Sequence, residues 1–287
     1  MTINPETALG LTVPDLTQTY TNRETMLYAL GIGIGHDPTD LGQLGFVFER
    51  GLKAVPTMAV VLGETMDWVY HPDLGMDVPQ TLHGEERVIL HRPLAPEGRV
   101  TGQLRVTGLA DKGPGRGALV QATKTLRDAE TGALIATVER TAFARADGGF
   151  GGVHGTINPA VPQALPNRAP DWTCDLPTVA QAALLYRLSG DRIPLHADPA
   201  MARAAGFDRP ILHGLCSLGM ACHAVLRMAC DYDPARIAEI GCRFTAPVYP
   251  GETLRVELWK DGNTVSFRAR ITDRGVTALH GRAILRP

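Results

Sequence analysis

The chain lacks any apolar run long enough to cross a bilayer, any paired-cysteine motif and any marked excess of one charge, and each absence removes a class of function. Spanning a bilayer core takes about 20 consecutive apolar residues, and none of the 287 residues falls in such a run. The five cysteines, Cys174, Cys216, Cys222, Cys230 and Cys242, are odd in number and show no Cys-x-x-Cys spacing. That pattern predicts reduced thiols in a cytoplasmic protein, not a disulfide framework. A formal net charge of -2 argues against general nucleic-acid binding, which needs a basic face for phosphate contacts. The first residues, Met1-Thr-Ile-Asn-Pro-Glu-Thr7, have neither the basic nor the apolar region of a signal peptide, and Leu285-Arg-Pro287 is not a peroxisomal Ser-Lys-Leu address.

Several chemistries drop out for want of a motif. The nine histidines form no His-x-x-x-His pair and no Cys/His cluster, so no metal is expected. Gly31-Ile-Gly-Ile-Gly35 lacks the third-glycine spacing of a dinucleotide loop and follows a helix-like segment instead of a strand. No Gly-x-Ser-x-Gly elbow is present.

What the sequence does have is a diverged repeat. Proline and glycine thicken from Gly148 to Pro170, which reads as a linker over 151–170 between two halves, 1–150 and 171–287. Each half offers a helix-period apolar segment, then a strand, a Pro/Gly turn and three further strand-like runs. In the first half these are a helix over Pro56 to Tyr70 and strands Glu86 to His91, Arg99 to Leu109, Ala118 to Arg127 and Ala133 to Arg145. In the second they are a helix over Gly214 to Cys230 and strands Ile237 to Phe244, Thr253 to Lys260, Thr264 to Thr272 and Thr277 to Leu285. An antiparallel sheet wrapped around a long apolar helix, twice over, is an α+β arrangement.

The richest stretch is Tyr186-Arg-Leu-Ser-Gly-Asp-Arg-Ile-Pro-Leu-His-Ala-Asp-Pro199. Thr178 to Leu188 is apolar at helical spacing, Gly190 supplies a stop, and Asp198-Pro199 has the chemistry that opens a new helix. Pro194 lacks an N–H and biases Ile193 away from helix, so the connector between can turn Asp191 and His196 toward one point. A carboxylate and an imidazole sharing a water can move protons to and from a substrate. Taken alone, an Asp after Gly is as readily a turn or cap, and a single His a packed structural residue.

The surroundings change that weighing. Tyr186-Arg-Leu-Ser-Gly-Asp-x-x-Pro-Leu-His196, followed by Gly206-Phe-Asp-Arg-Pro-Ile-Leu-His-Gly-Leu-Cys216, resembles the hydratase 2 motif of the MaoC-like proteins, a family that contains the R-specific 2-enoyl-CoA hydratases. Tyr28-Ala-Leu-Gly-Ile-Gly33, Leu52-Lys-Ala-Val-Pro-Thr57, Leu82-His-Gly-Glu85, Asp111-Lys-Gly113, Gly148-Gly-Phe-Gly-Gly152 and Pro247-Val-Tyr-Pro-Gly251 extend the likeness to the two-domain hydratase 2 unit of peroxisomal multifunctional enzymes. The resemblance implies a double hot-dog fold, two repeats each with a long central helix wrapped by its sheet. It implies addition of water across a trans-2-enoyl-CoA, or the reverse dehydration of a 3-hydroxyacyl-CoA, by a homodimer with no cofactor beyond the coenzyme A of its substrate.

Carried onto this chain, the resemblance makes Asp191 and His196 the pair that holds and deprotonates water, and Gly214 the oxyanion donor. A physical reason supports Gly214, because its N–H is an orphan donor at the start of a long apolar helix, where the macrodipole favours developing negative charge. His83, Gly84, Lys112 and Phe244 match acyl-CoA contacts, and Arg192, Ile193, Pro194 and Leu195 line the motif itself. One position departs: the family motif reads Gly-Asp-x-Asn-Pro-Leu-His, and here the Asn is Ile193, which can neither donate to nor accept from the water. That substitution keeps open a third reading, an acyl-CoA-binding partner subunit with impaired catalysis. Around Gly33 to Asp40 the first half carries His36 and Asp37 without the motif, so a single active site per chain is expected, with the first half holding substrate.

Overall fold

The computed structural model describes residues 3–65, 68–159 and 164–287. Its strands are β1 (Leu16–Tyr20), β2 (Thr81–Leu90), β3 (Gly98–Asp111), β4 (Ala118–Asp128), β5 (Leu134–Ala144), β6 (Val153–Gly155), β7 (Trp172–Pro177), β8 (Ile237–Phe244), β9 (Thr253–Asp261), β10 (Thr264–Ile271) and β11 (Val276–Leu285). They form one sheet in the order β1-β3-β4-β5-β2-β8-β11-β10-β9-β7, with β6 added on β3. The halves meet where β2 pairs antiparallel with β8, Glu85 opposite Arg243 and Val88 opposite Ile240. Counting outward from that seam, each half runs through its strands in the same order, so the repeat read from the sequence is a repeat of topology.

The interval between equivalent points is constant. Tyr28 and Tyr186, whose rings pack 5.9 Å apart, the helix-capping Asp40 and Asp198, and Pro56 and Gly214, each opening a helical segment, are all separated by one and the same number of residues.

The central helix of the second half, Gly214–Ala229, is buried on nearly every side. Its core residues include Leu215, Leu218, Met220, Val225 and Leu226, all at most 2% exposed, and each contributes roughly 1.5–3 kcal/mol by leaving water. Small residues let neighbours approach: a Cβ on Gly219 would stand 2.5 Å from Ile32 Cγ2, so glycine there lets the first-half connector lie against the helix.

Among the described residues the first half has no such helix, and the expectation of a helix over Pro56 to Tyr70 is corrected. Residues 66–67 of that segment lie outside the described residues. Of the remainder, Pro56–Val60 and Trp68–Tyr70 are short 3-10 turns. The carbonyls of Ala59, Val60 and Leu62, which a helix would pair with its own N–H groups, accept instead from Lys124 Nζ at 3.0, 3.1 and 2.8 Å. Pro56 through Leu62 are all buried. The apolar signal there reports burial on all sides and not one face of a helix. Lys124 in turn meets Glu64 at 2.7 Å, while Arg140 joins Glu64 to Glu86, so two buried cations face two buried carboxylates.

Three strands escaped the sequence pattern: β1, β7, and β6, three residues within the expected 151–170 linker that pair with β3. β1, Leu-Thr-Gln-Thr-Tyr, buries only Tyr20, and an edge strand with most side chains in solvent carries little alternation. Thr178 to Leu188 is helical only at Ala182–Tyr186 and continues as a 3-10 turn over Arg187–Ser189. Gly190 stops it with φ +131°, a conformation that disfavours any Cβ.

Candidate active site

From Gly190 the chain runs through Asp191 to a 3-10 turn, Pro194–His196, in which Pro194 occupies the first position and needs no donor. Asp198 then accepts the Ala200 N–H and caps the next helix, Pro199–Ala204. Between these stops Asp191 and His196 are turned inward, 5% and 8% exposed. Asp191 Oδ1 accepts the Ile193 N–H at 3.3 Å, which fixes one carboxylate oxygen by an Asx-type turn. The other is not engaged by that bond.

His196 Nδ1 lies 2.9 Å from the Ile211 carbonyl. A carbonyl can only accept, so Nδ1 carries the proton and Nε2 is left with a lone pair. Burial lowers the pKa of His196, opposed by the negative charge of Asp191 and by the Ile211 bond, with Arg187 adding to the lowering. A neutral imidazole whose Nε2 keeps a lone pair is the state a general base needs.

His213 was not singled out in the sequence. It is fully buried, and its ring stacks on that of His196 with centroids 3.7 Å apart and planes 26° from parallel. Its Nε2–H donates to the Asp191 carbonyl at 3.1 Å. Burial and the neighbouring His196 push its pKa down to about 2, so it stays uncharged. The two histidines form a reciprocal stitch: His196 bonds back to the segment before the central helix, and His213 on that segment bonds to the Asp191 backbone. Because Gly214 follows His213 directly, the stitch ties the acid/base loop to the helix N-terminus.

Gly214 opens the 16-residue helix, and no hydrogen bond from its N–H is formed among the described residues. Its Cα face is covered by Phe244, whose ring atoms a Cβ would meet at 3.2–3.4 Å. Phe244 packs edge-on to His83 with centroids 4.9 Å apart, and His83 Nε2–H donates to Glu86 at 2.9 Å. Gly84 sits at a bulge in the β2–β5 register, which turns His83 toward Phe244. Burial raises the pKa of Glu86, but Arg140 and His83 outweigh it and hold the carboxyl at about 2. The chain Gly214, Phe244, His83, Glu86 thus crosses the seam between the halves.

The other expected residues stand further out. Ile193 and Leu195 are half-buried, while Arg192 and Pro194 are exposed. Lys112 is exposed with its ammonium 5.2 Å from the Phe143 ring, and no described contact joins it to Asp191 or His196.

Asp191, His196 and His213 together bring three potential metal-ligating atoms within 4.8 Å of one another, a cluster invisible as sequence spacing. The stacking works against ligation. Imidazole lone pairs lie in the ring plane, so two rings this close to parallel direct them side by side instead of toward one ion. The same arrangement leaves His196 Nε2 without a protein partner among the described residues, while the Asp191 carboxylate stands within the same cluster.

Comparison with known proteins agrees in both halves. Residues 162–280 match the family model described as MaoC like domain, and residues 18–146 match the MFE-2 hydratase 2 N-terminal domain. Among curated relatives, enoyl-CoA hydratase ChsH3 of Mycobacterium tuberculosis is 40% identical over 91% of this chain and 91% of its own. Peroxisomal enoyl-CoA hydratase 2 of Arabidopsis thaliana is 35% identical over 99% and 96%. A solved MaoC-like dehydratase from Phytophthora capsici superposes with a TM-score of 0.86 at 34% identity, covering 99% of both chains.

Proposed function

Because this chain belongs to the MaoC-like hydratase 2 family and has its double hot-dog fold, we propose that it is an R-specific enoyl-CoA hydratase, a hydro-lyase adding water reversibly to a trans-2-enoyl-CoA to give the (3R)-3-hydroxyacyl-CoA. The observation that carries this reading is the buried Asp191–His196 pair stitched by His213 to the start of the central helix. His196 Nε2 takes a proton from water held with Asp191 as oxygen attacks Cβ of the enoyl group. Electron density moves onto the thioester oxygen, where the Gly214 N–H and the helix dipole stabilise it. The proton then returns to Cα, and every atom of water ends in the product.

His83, Gly84, Lys112 and Phe244 belong to the acyl-CoA side of this reading, with the motif residues Arg192 to Leu195 around the catalytic loop. The reaction calls for no metal and no cofactor beyond the substrate's coenzyme A, and a homodimer is the assembly we propose. No helix among the described residues is long and apolar enough to cross a membrane. The five cysteines are free and buried, in keeping with a reducing, cytoplasmic setting.

Ile193 favours a second reading within the same chemistry: dehydration of a branched, dicarboxylic or steroid-side-chain 3-hydroxyacyl-CoA, in which the motif's missing amide is no handicap. One relative, at 40% identity, is a 3-hydroxyacyl-thioester dehydratase of Mycobacterium tuberculosis. The test is the purified protein with crotonyl-CoA and longer enoyl-CoA thioesters, followed by loss of the conjugated double bond and chiral analysis of the product. The expected result is (3R) product, with at least about a hundredfold loss in Asp191→Asn. Equal turnover in that variant, or (3S) product, overturns the reading; acyl-CoA binding without turnover favours the partner-subunit alternative.

A further inference from the structure

A column of four aromatic rings, one from the first half and three from the second, leads from Tyr28 to the proposed base. The Tyr28 and Tyr186 rings have centroids 5.9 Å apart, Tyr186 and His213 5.0 Å, and His213 and His196 3.7 Å. Tyr28, Tyr186 and His213 are fully buried and His196 is 8% exposed. The column therefore runs through the interior.

Each imidazole in it makes one side-chain hydrogen bond among the described residues: His196 Nδ1–H to the Ile211 carbonyl and His213 Nε2–H to the Asp191 carbonyl. His213 Nδ1 has no partner. The last torsion of a histidine side chain is broad, and a ring held at one atom can rock about that bond. Packing has to set the ring planes. His213 has the rings of His196 and Tyr186 against it, and Tyr186 in turn has that of Tyr28.

Neither tyrosine hydroxyl has a hydrogen-bond partner, so both residues act here as rings. Tyr28 lies on the first-half helix Asn22–Gly31, whose end is pinned to the second half at two points. The Gly31 carbonyl accepts from Cys216 Sγ at 3.3 Å, and a Cβ on Gly31 would stand 3.5 Å from Tyr186 Cα. Contact that close fixes the Tyr28 ring relative to Tyr186. At the interval that relates Tyr28 to Tyr186, the counterparts of His213 and His196 are Val55 and Pro38. Tyr28 thus has no imidazole in its own half to support.

We propose that Tyr28 and Tyr186 are positioning residues for His196, holding the plane of its ring through His213, so that the half without proton-transfer groups helps to set the base. The proposal rests on the reading of His196 as that base. Neither phenol has to touch substrate or give up a proton.

The test compares Tyr28→Phe, which keeps the ring, with Tyr28→Leu, which removes it; Tyr28→Met takes the place of the latter if it does not fold. Nitrogen-edited NMR of the imidazoles reads His196 in the full chain without substrate. Wild type and Tyr28→Phe should show a single Nδ1–H tautomer, and Tyr28→Leu a mixture, because a rocking ring loses its bond to Ile211. With crotonyl-CoA, kcat should fall at least about threefold in Tyr28→Leu and about tenfold in Tyr186→Leu, with KM unchanged. Tyr28→Phe should keep the wild-type values. An unchanged His196 spectrum in Tyr28→Leu overturns the proposal whatever happens to the melting temperature. So does a Tyr28→Phe protein that behaves as Tyr28→Leu, or a changed spectrum with wild-type kcat. The spectra need no turnover, so a wild-type protein that hydrates no enoyl-CoA refutes the hydratase reading separately.

Discussion

Replacing His213 by Phe separates positioning from packing at the catalytic loop. The phenyl ring keeps a face for His196 to stack on, now 3.7 Å between centroids, but it cannot donate to the Asp191 carbonyl, now bonded at 3.1 Å. A buried carbonyl left without its donor costs about 1–3 kcal/mol. If half or more of that cost falls on the arrangement that holds Asp191 beside His196, the competent loop becomes scarcer by roughly 2-fold to 100-fold, at ~1.4 kcal/mol per factor of ten. The loss should appear in kcat, with KM for crotonyl-CoA little changed, because no acyl contact is touched. The pH profile gives a second readout. The His196 pKa is depressed chiefly by burial, so wild-type kcat/KM should rise with pH through that depressed value and then level. A loosened loop admits water, weakens the burial effect and moves the acid limb toward higher pH, nearer the ordinary histidine value of about 6.5. His213→Gln, which restores a donor, should recover part of kcat and of the limb's position. A His213→Phe enzyme with wild-type kcat and an unmoved acid limb refutes the stitch; a raised KM with unchanged kcat refutes it too.

Gly214→Ala should lower kcat tenfold or more, because the added methyl stands 3.2–3.4 Å from Phe244 ring atoms and crowds the N–H where the thioester oxygen would sit. Pairing it with Phe244→Leu should recover melting temperature without recovering kcat; recovery of both would reduce Gly214 to a packing role. Ile193→Asn should raise the rate on crotonyl-CoA by restoring a water contact, and an unchanged or slower rate would mean that the isoleucine serves a different substrate. Glu86→Gln should lose on the order of 3 kcal/mol of stability at pH 7, from a carboxyl held at about 2 against an ordinary 4.5. A depressed carboxylate pKa stabilises above the unfolded value and stops doing so as pH falls toward the folded one. The gap between wild type and variant in urea midpoints should therefore narrow from pH 5 to pH 3, and a constant gap would contradict that electrostatic origin.

Most of the sheet was legible because its strands are half-buried and alternate. β10 reads Thr-Val-Ser-Phe-Arg-Ala-Arg-Ile and buries every second residue, which is the period-two signal at full strength. The central helix was legible from length alone, since 16 residues of apolar composition exceed what a buried strand takes. The Pro56 to Tyr70 segment misled for a physical reason. Apolarity on all sides cannot distinguish a buried helix from a buried irregular turn, and the deciding group is Lys124, far away on β4, whose ammonium takes three carbonyls. A lysine in a strand pattern reads as solvent-facing until the turn it serves is in place.

The catalytic loop was legible through its stops and caps, whereas the residue that locks it was not. His213 stands between Leu212 and Gly214 in a run that reads as core, and its partner is the backbone of a residue 22 positions earlier. Such a bond exists only once the loop has closed. The repeat carries the proposed proton-transfer groups in one half only. At the constant interval that relates Tyr28 to Tyr186, Asp40 to Asp198 and Pro56 to Gly214, the first half places Gly33 where Asp191 stands and Pro38 where His196 stands. Pro56, at the counterpart of Gly214, has no N–H to offer an oxyanion. Carboxylate, imidazole and amide donor are thus all missing from the equivalent positions, while the strand order around them is kept. The backbone frame has been inherited by both halves, and the proton-transfer groups by the second alone.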